Sequence, residues 1–240
     1  MTGVKTFLAS CQELAFPSSC LGCQRRLPWR RLPLFCDDCR SEIAAISSPR
    51  CPCCGMAFAA GEDHLCGSCL RHAFAFDLAR AALAYQPPVT GLISALKFQG
   101  QLTGLSSLAT LARASGGFRE LSVPELILPV PLHPRRLRER GFNQALLLAR
   151  ACFPELRGLI HPGVLQRHRP TAPQTTLSGT LRRRNLIGAF SLIQPHMVNN
   201  RKILLVDDVF TTGSTVHECA RILRGGGAAG VEIFTLARTS

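Results

Sequence analysis

Apolar positions along this chain fall into two kinds of run. Residues 203–206 (Ile203, Leu204, Leu205, Val206) are continuous, branched and apolar, as expected of a parallel strand buried on both faces. Residues 126–130 make a second such run, ended by proline. Residues 78–85, closed by Pro87 and Pro88, and residues 187–192 and 231–237 read as further strands. Elsewhere the period is helical. Leu92, Ile93, Leu96, Leu105, Leu108 and Leu111 fall at helical spacing, interrupted at Gly100 and Gly104. Residues 141–152 put Phe142, Leu146 and Ala149 on one helical face. A helix starting near Ser214 or Thr215 continues over 216–223 and ends at the glycines 225–227. Residues 165–178 are polar and proline-broken, and predict no regular element. The alternation predicts an α/β fold, a parallel sheet with flanking helices.

Two aspartates, Asp207 and Asp208, follow the first run directly. Carboxylates do not stay unpaired in a core, so the pair is expected at the strand's carboxyl end, facing solvent, where open α/β sheets bind ligands. Thr211, Thr212, Gly213, Ser214 and Thr215 then supply hydroxyls, backbone N–H groups and one permissive glycine before a helix. Such a loop is an anion site, and phosphate is its natural occupant. The loop lacks the lysine of a Walker A motif, and the glycines of the dinucleotide turn are absent. Carboxylates beside a phosphate cradle suit a sugar phosphate, the acids accepting from neighbouring ribose hydroxyls. The bland alternative is a solvated acidic pair capping the next helix.

Composition changes the picture at the N-terminal end. Ten of the twelve cysteines lie in residues 11–69. Eight form C-x-x-C turns: Cys20 with Cys23, Cys36 with Cys39, Cys51 with Cys54, and Cys66 with Cys69. Each turn brings two sulfurs to one ion, and two turns complete a tetrahedron. Two structural Zn²⁺ ions are expected, paired sequentially or cross-braced. Cys53 competes as a ligand, though the Cys51/Cys54 spacing is better. Cys152 and Cys219 sit in apolar helical patterns and read as core. The expected division is a double zinc ribbon over 1–73 and an α/β domain over 74–240. The twenty N-terminal residues show no long apolar core or cleavage site, and no apolar run approaches the roughly 18 residues of a membrane span. A soluble, cytoplasmic protein is expected.

Formal net charge is +13, and eight thiolates on two Zn²⁺ would leave about +9. Residues 133–185 hold eleven arginines against two acids. That excess over one sugar diphosphate points to a long polyanion such as single-stranded DNA or RNA. Arg25, Arg26, Arg30 and Arg31 around Trp29 read either as a nucleic-acid contact or as a solvated ribbon loop. Arg135, Arg136, Arg138 and Arg140 occupy what reads as a loop between strand and helix, and should attract polyphosphate. Lys97 stands near a turn and is either a pyrophosphate ligand or an ordinary surface lysine.

The run 202–215 resembles the signature of type I phosphoribosyltransferases, four apolar residues followed by D-D-x-x-x-T-G-x-T. That resemblance implies phosphoribosyl pyrophosphate with Mg²⁺, Asp207 and Asp208 on the ribose, and residues 211–215 on the 5′-phosphate. It also implies a closing loop near 165–178 that brings Arg167 and Arg169 to the leaving pyrophosphate. Taken with the four knuckles, P-V-P-L-H-x-x-R-x-x-x-R-G-F-N-Q and R-x-R-x-T-x-x-Q-x-x-L-S resemble the ComF competence-protein family over nearly the whole chain. Membership implies a zinc-ribbon head on a phosphoribosyltransferase-like domain. It also implies a part in natural transformation, with single-stranded DNA and other DNA-uptake proteins as partners. Two alternatives stand beside it: an active phosphoribosyltransferase of unknown acceptor, and a nucleic-acid-binding protein with a vestigial nucleotide site. Enzymatic activity is left open.

Overall fold

The structure is a computed structural model, and it describes residues 18–27, 32–170 and 186–239. Cys11, Trp29, Arg30, Arg31, residues 171–178 of the expected closing loop and Arg182, Arg183 and Arg184 lie outside the described residues.

Two one-turn helices, α1 (Asp37–Ser41) and α2 (Gly67–Arg71), belong to the cysteine-rich part. Then come β1 (Leu78–Ala84), α3 (Val89–Gln99), α4 (Leu105–Ala114), α5 (Gly116–Arg119) and β2 (Leu126–Pro129). They are followed by α6 (Pro134–Arg140), α7 (Gln144–Cys152), β3 (Leu165–Arg167) and β4 (Phe190–Leu192). The chain closes with β5 (Lys202–Phe210), α8 (Ser214–Gly225) and β6 (Gly230–Arg238). Among the described residues the main sheet runs β1-β6-β5-β2, every pairing parallel. β3 and β4 form a separate antiparallel pair.

Period-two alternation assigns each strand residue to one of two cores. Leu126, Leu128, Ile203, Leu205, Val231 and Ile233 face one way, onto Val216, Cys219, Ala220 and Leu223 of α8. Ile127, Leu204, Val206, Phe234 and Leu236 face the other way, onto α3, α4 and α7. Both faces are covered, which is why these strands read as unbroken apolar runs. Cys152 and Cys219 are buried in the two cores, as their helical patterns predict.

Three expectations change. The arginine segment 134–140 is a helix rather than a loop. His133 caps it, its Nδ1 accepting from the Arg135 N–H at 3.2 Å, Pro134 stands in the first turn, and Gly141 closes it at φ 80°. Its one apolar residue, Leu137, is 42% exposed, so no buried stripe advertises it. Second, residues 165–167 are a strand; three residues paired with β4 carry too little pattern to be seen alone. Third, β5 continues through the aspartates to Phe210, so the pair lies within the strand and not beyond it.

The cysteine-rich part leans on the sheet. Ile46 donates to the Ala82 carbonyl at 3.1 Å, and Ala84 to the Ala44 carbonyl at 2.8 Å, covering the outer edge of β1. The Ala79 N–H bonds the Cys53 carbonyl at 2.7 Å. Gly55 sits at φ 70°, and a Cβ there would come within 2.8 Å of the Ala79 carbonyl oxygen, so only glycine lets this knuckle dock. Arg80 and buried Arg50 both pair with Glu120, and Arg80 also donates to the Pro52 carbonyl at 3.0 Å. Cys51, Cys54 and Cys66 thereby share a core with β2, β5 and α8.

Candidate functional site

Two sets of four cysteines converge: Cys20, Cys23, Cys36 and Cys39, and Cys51, Cys54, Cys66 and Cys69. Within each set all four sulfurs lie within 4.8 Å of one another, with near neighbours such as Cys20 and Cys36, or Cys54 and Cys66, at 3.6 Å. A tetrahedral zinc with Zn–S near 2.3 Å separates its sulfurs by about 3.8 Å, so both sets fit the ion. Pairing is sequential, not cross-braced. Cys53 stays outside its set. All four positions of each site are protein sulfur, which makes the sites structural.

The larger cleft lies at the carboxyl ends of the strands. β2 stops at Pro129, opposite Val206, and the Val130 N–H makes the last bond to the Val206 carbonyl at 2.9 Å. Beyond that point no described strand pairs with β5 on the β2 side, and Asp207 and Asp208 border an open cleft of about 350 Å³. Its other walls are Lys97, Arg167, Gln144, Tyr85, residues 130–132 and the loop after Phe210.

The acidic pair is less exposed than expected. Asp208 is only 5% exposed, and the Lys97 ammonium lies 2.8 Å from its Oδ2. Lys97 is therefore no plain surface lysine, and Asp208 does not simply face water; a buried carboxylate this close to the core needs a cation. Asp207 is half-buried. Burial and the neighbouring Asp208 charge push its carboxyl up to about 7. Each carboxylate also accepts a backbone N–H, Asp207 Oδ1 from Asp208 at 2.9 Å and Asp208 Oδ1 from Val209 at 2.7 Å.

The loop that follows has the form of an anion cradle. Gly213 takes φ 73° at the N-cap of α8, and a Cβ there would come within 2.6 Å of the Phe210 ring. Glycine thus permits both the turn and the close packing beneath it. Thr211, Gly213, Ser214 and Thr215 line the cleft, whereas Thr212 does not and shares a hydrogen bond with the Ser214 hydroxyl at 2.8 Å. The first amides of twelve-residue α8 and its dipole point toward this loop.

The basic residues separate into groups. Arg167 projects from β3 into the cleft, its guanidinium carbon 5.4 Å from the centre of the Phe190 ring. Arg169 lies outside the lining and donates to the Ile187 carbonyl at 2.8 Å. Arg140 is half-buried and bonds Gln144 Oε1 at 2.7 Å. Arg135 pairs with Glu139 at 3.0 Å on the exposed face of α6, and Arg136 and Arg138 are exposed beside it.

Gln144 and Tyr85 are cleft residues that sequence reasoning did not single out. Gln144 had a signal: it follows Asn143, whose side chain caps α7 and donates to the Val130 carbonyl at 3.0 Å, tying helix to strand end. Tyr85 had none beyond being the last residue of a predicted strand.

Comparison with known proteins finds two matching domain families. The family profile of the double zinc ribbon domain matches residues 11–70, and that of the phosphoribosyl transferase domain matches residues 166–240. DNA utilization protein YhgH of Escherichia coli O157:H7 is 39% identical over 223 residues, covering 87% of this chain and 95% of the relative. Competence protein F of Haemophilus influenzae is 34% identical over 233 residues, with 93% and 98% covered. Competence protein ComFC of Bacillus subtilis is 29% identical over 240 residues, with 92% and 95% covered. A double set of zinc-ribbon cysteines joined to a parallel phosphoribosyltransferase-type sheet, with relatives of this kind along nearly its full length, places the chain in the ComF family of competence proteins.

Proposed function

We propose that this protein binds phosphoribosyl pyrophosphate with Mg²⁺ in the cleft at the end of β5, and that it serves the handling of single-stranded DNA in the cytoplasm. The observation that carries the binding reading is the junction of Asp207 and Asp208 with the Gly213 turn and the start of α8, all on one cleft. Asp207 and Asp208 accept from the ribose hydroxyls. Residues 211–215 hold the 5′-phosphate through loop amides and hydroxyls. Lys97 and the α6 arginines Arg135, Arg136, Arg138 and Arg140 supply positive charge for the pyrophosphate or for nucleic acid, and Arg167 and Arg169 close on the pyrophosphate side. Mg²⁺ accompanies the diphosphate, whose charge it offsets. The names of the relatives, competence proteins and DNA utilization proteins, support the second half of the reading.

Lys97 gives the cleft a definite behaviour. Its ammonium is held by Asp208 at 2.8 Å. A ribose donating to Asp208 competes for that carboxylate while the incoming diphosphate attracts the ammonium, so ligand entry redistributes one ion pair.

Isothermal calorimetry with phosphoribosyl pyrophosphate, with and without Mg²⁺, tests the reading. Binding by the unmutated protein and its loss in Asp207→Ala with Asp208→Ala are expected. Equal binding by the double variant refutes the site. Pyrophosphate release with any one nucleobase would show that the bound ligand also reacts.

A further inference from the structure

Phe98, in the last turn of α3, is 75% exposed. A single exposed apolar side chain is ordinary. Its surroundings are not. Phe98 lines an open pocket of about 390 Å³ together with Lys97, Gly100, Arg136, Glu139 and Arg140. The Arg140 guanidinium carbon sits 5.8 Å from the centre of the ring. Two arginines, Arg136 and Arg140, therefore share one open pocket with the ring, while the Lys97 ammonium is held by Asp208. The single acid, Glu139, is engaged with Arg135. Lys97 is common to this pocket and to the sugar-phosphate cleft, so the two adjoin.

We propose that Phe98, Arg136 and Arg140 form a binding site for single-stranded nucleic acid, with a base stacked on Phe98 and its phosphates on the two arginines. The proposal rests on the reading of this protein as one that handles single strands, and adds where and how the strand is held. An aromatic face framed by guanidinium groups matches the two surfaces of a nucleotide, flat base and anionic phosphate. Arg140 and Arg136 are like charges facing one opening. Burial and Arg136 pull the Arg140 pKa down, against the opposing pull of Asp208, and an anion between them relieves that repulsion. The volume lies within the roughly 300–1,000 Å³ of sites for small molecules and their fragments. A duplex does not fit this chemistry, because its bases already stack on one another and present only their edges. A free nucleotide uses the pocket but leaves Arg138, exposed on the same helix, with nothing to bind. A strand continues past the pocket along α6.

The test is fluorescence anisotropy with a labelled oligothymidylate of about twenty nucleotides and the full-length, zinc-loaded chain. Phe98→Ala should weaken binding roughly 5- to 100-fold, and Phe98→Trp should restore it, as stacking requires. Arg136→Ala should instead lower the slope of log K against log salt by about 0.7, while Phe98→Ala leaves that slope unchanged. An abasic oligonucleotide of equal length should bind the unmutated chain and the Phe98→Ala variant alike. The proposal is overturned if the unmutated chain binds no single strand, or if Phe98→Ala binds oligothymidylate as the unmutated chain does. An equal loss on the abasic strand, or displacement of the oligonucleotide by thymidine monophosphate at matching concentration, also overturns it. Calorimetry of phosphoribosyl pyrophosphate with the unmutated chain is run alongside. Absence of that heat refutes the cleft reading and leaves the strand result to stand or fall separately.

Discussion

Asp207 should make the ligand-free protein less stable as pH rises, and Asp207→Asn should abolish that trend. The carboxyl is pushed from an ordinary 3.8 to about 7, first by burial and then by Asp208, against the pull of Lys97 and Arg167. The folded protein therefore holds a proton that the unfolded chain has released between about pH 4 and pH 7. Stability contributed by the neutral form is complete below the unfolded value and is lost as pH climbs toward the folded one. At about 1.4 kcal/mol per tenfold, the full interval is worth roughly 4 kcal/mol. An asparagine is also desolvated but carries no charge, so about half of that, roughly 2 kcal/mol, is the expected gain of Asp207→Asn over the unmutated chain at pH 8. At pH 5 the unfolded chain has already released its proton, so roughly 1.6 kcal/mol of that interval is lost, close to the cost of burying the asparagine amide, and the two should differ little. Urea denaturation of both zinc-loaded proteins at pH 5 and pH 8 measures this. Taking the difference between variants cancels the separate pH dependence of the zinc sites. A stability difference that does not change between these pH values refutes the reasoning. Ligand binding offers a second readout: hydroxyl donors favour the carboxylate form, so binding near pH 6.5 should release a proton, detected by calorimetry in buffers of different ionisation heat.

Lys97→Met should cost about 2–3 kcal/mol in urea denaturation by leaving Asp208 buried without its cation, and adding Asp208→Asn should recover most of the loss. Metal analysis of protein purified without chelator should find close to two zinc per chain, and well under that would count against both cysteine sites. Cys54→Ser should lower the melting temperature more than Cys23→Ser, because Cys54 lies in the core shared with the sheet whereas Cys23 is exposed. Gly213→Ala should cost about 2 kcal/mol or more, from strain at positive φ and the clash with Phe210, and should weaken phosphoribosyl pyrophosphate binding. Full retention of both in the calorimeter would place the cradle elsewhere.

Much of the fold was legible because burial on both faces leaves a local mark. β1, β2, β5 and β6 appear as predicted, within a residue or a few at each end, and α3, α4 and α8 follow from their spacing and glycine stops. The knuckles were legible for a similar reason: a C-x-x-C turn is a local geometry. Elements held by charge or by partners were not. α6 buries no residue, and β3 exists only through β4. Lys97 and Asp208 are far apart in sequence, and no spacing announces that they meet. Nor does any signal tell that the second cysteine set shares a core with β5 while its knuckle carbonyls take bonds from Ala79, Arg80 and Arg238.

By itself the sequence determined the parallel sheet, the four C-x-x-C turns and the acidic pair before a phosphate-type turn, since each rests on residues close together in the chain. Tertiary structure decided the sequential pairing of the knuckles, the burial of Asp208 under Lys97, the entry of Arg167 into the cleft and the open ring of Phe98 among arginines. Those depend on which distant surfaces pack, and a charge becomes perturbed or available only once its neighbours and its share of water are set.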